Sequence, residues 1–162
     1  MSTPTDIVRA PRLSRFAWLM GLYAENHERV ERLFAVSGLD EGSYRSSVGD
    51  GLDLRLEVVA RHAYTVELTL SYELLDPLTG QPDPSAHLRV YGDARQAEAT
   101  HCYVGRRWQD TLGLRPPHGA LLHHRLRMNA FLNKWLAYLA EQGHGPETLS
   151  VFEADENSCR IA

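Results

Sequence analysis

Apolar residues recur every three to four positions at the two ends of this chain and every two positions between them. From about Arg12 to Val36, Phe16, Leu19, Met20, Tyr23, His27, Val30, Leu33 and Phe34 share one broad face. Glu25, Glu28, Arg29 and Arg32 lie away from it. This spacing predicts an amphipathic helix with Gly38 as its stop. Trp18 falls on its polar side. His27 falls on its apolar side, where a core histidine with one bonded ring nitrogen is expected. A second, longer helix is predicted over residues 119–142. Leu121, Met128, Leu132, Trp135, Leu136 and Leu139 form its stripe, with Phe131 at the edge. Pro116 and Pro117 end whatever precedes it, and Gly143 stands where a left-handed cap belongs.

Between the helices the period is two. Tyr44, Ser46 and Val48 make a short first strand. Leu52, Leu54, Leu56 and Val58 alternate with Asp53, Arg55 and Glu57. After Arg61-His62, Tyr64, Val66, Leu68, Leu70, Tyr72 and Leu74 alternate with Thr65, Glu67, Thr69, Ser71 and Glu73. The two runs predict an antiparallel hairpin. DPLTGQPDP, residues 76–84, reads as a loop. His87–Tyr91 and Gln96–Val104 read as strands joined by a tight turn at Gly92-Asp93. The expected fold is α+β: an antiparallel meander of about five strands, flanked on one face by an N-terminal and a C-terminal helix. Residues 1–10 read as a flexible leader, 11–145 as a single domain, and 146–162 as an acidic, disordered tail.

Composition narrows the class. A formal charge of −4 argues against a chain built mainly to bind nucleic acid. Two cysteines make no disulfide framework. No secretory leader and no run of 18 apolar residues is evident, so the cytoplasm is the expected compartment. No nucleophile elbow, Walker loop, dinucleotide fingerprint or zinc-protease motif is present, and no reaction class is favoured.

Four segments, LMGLYAENHERVERLF (19–34), YTVELTL (64–70), LRVYGDARQAEAT (88–100) and NAFLNKWLAYLAEQG (129–143), resemble in this order the YqiB-like family of bacterial proteins, a domain of unknown function. The resemblance implies a small cytoplasmic bacterial protein and carries over no catalytic residue. LLHHRLRM, just before Asn129, departs from the family's more charged pattern, and the acidic tail reads as an extension.

The expected role is binding, to a protein or a small ligand. His124, Arg125 and Asn129 sit on or beside the apolar stripe of the long helix. A few polar groups in an apolar lining suit a ligand pocket. The competing expectation is that Arg125 snorkels to water and Asn129 bonds the backbone. Arg89, Tyr91 and His101 on the last strand pair are further ligand-contact candidates. The runner-up is a nucleic-acid surface on Arg106, Arg107 and Trp108, and an enzyme of unassigned class stands third. No cofactor and no metal site is expected. His87 and His101 approach each other only if both face one way, and no third ligand stands at fixed spacing.

Overall fold

The computed structural model describes residues 14–104 and 118–153. The leader, the Arg106/Arg107/Trp108 loop and the end of the acidic segment lie outside the described residues. Helix α1 spans Arg15–Phe34 and α2 spans His118–Glu141. Between them run β1 (Gly42–Ser46), β2 (Leu54–Arg61), β3 (Thr65–Tyr72), β4 (Ser85–Tyr91) and β5 (Gln96–Tyr103); β6 (Leu149–Val151) follows α2. The sheet is antiparallel throughout, in the order β5-β4-β3-β2-β1-β6. The expected α+β meander with a helix from each end is therefore present.

Ser14 caps α1, its hydroxyl accepting from the Ala17 N–H at 3.1 Å. The helix stops at Ala35 rather than at Gly38. Ala35 takes a left-handed conformation (φ 49°) and donates to the Glu31 carbonyl. A 3-10 turn over Val36–Gly38 follows. The Arg61 guanidinium holds this corner by donating to the carbonyls of Val36, Ser37 and Leu39. Such bonds satisfy the carbonyls that a helix end leaves free.

Alternation along the strands builds the core. Leu54, Leu56 and Val58, Val66, Leu68 and Leu70, Leu88 and Val90 are all buried on the face that the helices cover. A bulge in β5 leaves Thr100 extra between Ala99 and His101. It lets Ala99 and Cys102, three residues apart, both be buried. From α2, Met128, Leu132, Trp135, Leu136 and Leu139 close the layer, with Trp135 against Tyr72 at 5.6 Å and Phe131 at 5.8 Å. The helices run parallel side by side, Leu19, Leu22 and Tyr23 meeting Leu126 at one end.

Three further expectations need correction. Phe16 is 62% exposed, because it lies a turn before the first contacts with α2. His27 is half-buried, not a core residue; the buried stripe runs through Leu22, Asn26, Val30 and Leu33, one position away from it. The segment after Gly145 is not wholly a loose tail. Pro146–Thr148 form a 3-10 turn, β6 pairs with β1, and the Phe152 N–H donates to the Ser43 carbonyl at 2.8 Å. Arg45 and Arg55 lie over the Phe152 ring at 4.4 and 4.9 Å. Acidic residues masked this short apolar run, and the free edge of β1 supplies its partner.

Candidate functional site

The seam between α1 and α2 is where buried polar chemistry gathers. Asn26 and Asn129 are both wholly buried. Asn129 Oδ1 accepts from the Ala99 N–H of edge strand β5 at 2.8 Å, and its Nδ2 donates to the Arg125 carbonyl at 2.9 Å. Asn26 Nδ2 donates to the Asn129 carbonyl at 3.3 Å, and Asn133 Nδ2 donates to Asn26 Oδ1 at 3.1 Å. These amides tie two helices and a strand together, and each bond satisfies a group that burial would otherwise leave costly.

Further along the seam the helices part around a cavity of about 230 Å³. Glu25, Glu28, Arg29 and Arg32 come from one wall, Leu136 and Ala140 from the other, with Leu33 and His144 completing the lining. Arg29 pairs with Glu25 at 2.7 Å and Arg32 with Glu28 at 2.6 Å, each one helical turn apart. The Arg29 guanidinium holds the Glu25 carboxyl below its usual range, with help from Asn133. Arg29 Nε is buried and has no partner among the described residues.

His144 is delivered to this cavity by the end of α2. Gly143 adopts φ 99°, which L side chains rarely take, and the His144 N–H returns to the Leu139 carbonyl at 3.1 Å. The imidazole is only 6% exposed. Its Nδ1 lies 2.7 Å from Ser46 Oγ, and Ser46 Oγ lies 2.6 Å from Thr148 Oγ1. Thr148 Oγ1 accepts from the Gly145 N–H at 3.0 Å and donates to the Gly145 carbonyl at 2.9 Å. Only one direction makes every contact of this chain a bond. Thr148 spends its proton on the carbonyl, Ser46 donates to Thr148, and His144 Nδ1–H donates to Ser46. That assignment leaves Nε2 as a bare acceptor. Burial pushes the His144 pKa down, against the opposing pull of Asp50 and Asp53, so the neutral ring is favoured.

The residues picked from the sequence divide between two other places. Asn129 belongs to the amide seam just described. His124 is half-buried on α2, and burial, Arg127, Arg125 and His123 all lower its pKa. Arg125 is exposed. It does reach the field of Tyr23, whose phenol burial pushes up to about 12, with Glu98 adding and Arg125 opposing. Arg89, Tyr91 and His101 lie instead on the sheet face that the helices leave uncovered. There Arg89 donates to Glu67 at 2.9 Å and the Tyr91 hydroxyl to Glu98 at 2.7 Å. His101 stands opposite His87, ring centres 6.0 Å apart. The six residues thus do not converge on one pocket.

Asn26, Asn133, Ser46 and His144 escaped the sequence reading. Asn26 was legible, since it falls on the buried stripe of α1 between Leu22 and Val30. Nothing local marks Ser46 and His144, which are 98 residues apart. Among the described residues no group of three or more His, Cys, Asp or Glu side chains gathers to hold a metal ion, and no helix is long and apolar enough to cross a membrane. A family model described as "Protein of unknown function (DUF1249)" matches residues 29–145. No curated protein and no solved structure matches the chain.

Proposed function

The chain belongs to that family of unknown function, and within it we propose a binding role: a small polar molecule held in the cavity between α1 and α2. The bare Nε2 of His144 is the observation that carries this reading. A residue only 6% exposed and fixed by Ser46 is an oriented acceptor, and it lines a cavity that Arg29 and Arg32 also line. Few polar groups converging beside apolar Leu33 and Leu136 are the ordinary composition of a ligand site. The matching ligand carries a hydroxyl, amide or ammonium donor for His144 and a carboxylate or carbonyl for Arg29. At about 230 Å³ the space falls below the roughly 300–1,000 Å³ of drug-sized sites, which suits a small metabolite. A cytoplasmic setting and kinship with the YqiB-like bacterial proteins belong to the same reading, supported by the four ordered segments.

Small hydroxy acids and amino acids screened by NMR test it. The expected result is a shift of the His144 ring nitrogens together with amides of residues 25–33 and 136–148. Ala140 is exposed at the rim, so Ala140→Trp should fill the cavity and abolish these shifts without lowering the thermal midpoint. Hits that cluster elsewhere, or that survive Ala140→Trp, overturn the reading.

A further inference from the structure

We propose that His87 and His101 form a two-imidazole site for a divalent transition-metal ion on the uncovered face of the sheet. The site is independent of the His144 cavity. The two histidines are directly opposed residues of β4 and β5, so their side chains rise from the same face. Their rings meet edge to face at 76°, with centres 6.0 Å apart. Two imidazoles bound through Nε2 at about 2.0–2.1 Å around a tetrahedral ion have centres roughly 5 Å apart. A rotation that brings them about 1 Å closer therefore closes the site, and His101 is exposed on that face.

A hydrogen-bond chain presents the His101 nitrogen in the required state. Thr100 Oγ1 donates its one proton to the His87 carbonyl at 3.2 Å. It is thereby an acceptor for His101 Nδ1–H at 3.1 Å, and His101 Nε2 is left bare. His87 Nδ1 lies 3.4 Å from Thr69 Oγ1. Anchoring one ring nitrogen on an oxygen is how metal-binding histidines are oriented. A recess of about 230 Å³ beside the pair, with Gln81 and Ser85 in its lining, leaves room for water or side-chain oxygens. Cys102 is no ligand: it is buried in the core, where burial pushes its thiol up to about 12. Neutral nitrogen donors select Zn²⁺, Cu²⁺ or Ni²⁺ over Mg²⁺ and Ca²⁺.

Calorimetric titration of the full chain with Zn²⁺, and electron paramagnetic resonance with Cu²⁺, decide the matter. The expected results are one ion per chain and a Cu²⁺ spectrum with two coupled nitrogens. His101→Ala should weaken binding about 10²-fold, as for loss of one arm of a chelate. His87→Ala should do the same, whereas His62→Ala and Ala140→Trp should bind as the parent does. Thermal midpoints confirm that each variant is folded. Undiminished affinity in folded His101→Ala assigns the ion to other histidines and overturns the proposal, as does a spectrum with fewer than two nitrogens or saturation equally well by Mg²⁺.

Discussion

Leu132 and Asn129 lie one turn apart on α2 and both are wholly buried, yet they belong to different interiors. Leu132 faces the layer between helices and sheet, where Leu54, Leu56, Leu68, Leu70 and Leu88 exclude water completely. Asn129 faces the seam between the helices, where its side chain makes two directed hydrogen bonds and its carbonyl accepts a third. The difference shows that burial alone does not call for an apolar residue. The sheet offers the first layer only side chains, since its backbone bonds are made within the ladder. At the seam an edge strand offers a backbone N–H that needs a partner, and Asn129 supplies it. Where the amides end, no side chain fills the space between the helices, and the His144 cavity opens.

The largest expected effect lies in the dry layer. Trp135→Ala removes a ring packed on Tyr72 and Phe131, and should cost about 3–5 kcal/mol in denaturant unfolding. A neutral result would mean that α2 is not pinned through this face. Asn129→Leu sharpens the contrast. It keeps the branched shape but leaves the Ala99 N–H without its acceptor, for a loss of about 1–3 kcal/mol. If Asn129→Leu proves as stable as the parent, the seam needs only shape, and the distinction between the two interiors falls.

Truncation after Gly145 removes β6, Phe152 and the Thr148 hydroxyl that completes the His144 chain. A loss of about 2 kcal/mol is expected, seen as a fall of roughly 4–8 °C in the thermal midpoint. The acidic composition alone had suggested no change, so an unaltered midpoint would restore the reading of this segment as a loose tail.

The smallest effect is a pH slope. His144 has a folded pKa below its unfolded value, so the unfolded chain takes up the proton more readily. Its contribution to stability is present above the unfolded pKa, about 6.5, and is lost as pH falls below it. One proton limits the slope to about 1.4 kcal/mol per pH unit. His87 and His124 shift the same way and add to the slope. Unfolding free energies measured between pH 7.5 and 5 should fall with pH, and less steeply in His144→Gln. Equal slopes in the two proteins would place the buried proton acceptor elsewhere.

What the amino-acid sequence by itself determined is the two helices, the five strands between them and most of the faces they bury. Period 3.6 over about 12–36 and 119–142, period 2 between, and Gly143 at the end of α2 are local properties, and side-chain periodicity needs no knowledge of neighbours. The candidate chemistry was legible only in part. Asn129 stood out as a polar residue beside an apolar stripe, and His101 as a strand histidine that approaches His87 only if both face one way. The tertiary structure alone decided that Asn129 serves the backbone of β5, that β6 completes the sheet, and that Ser46 orients His144 across 98 residues. Hydrogen-bond partnership depends on where separate elements come to rest against one another, and that placement is a property of the packed core rather than of any one stretch of chain.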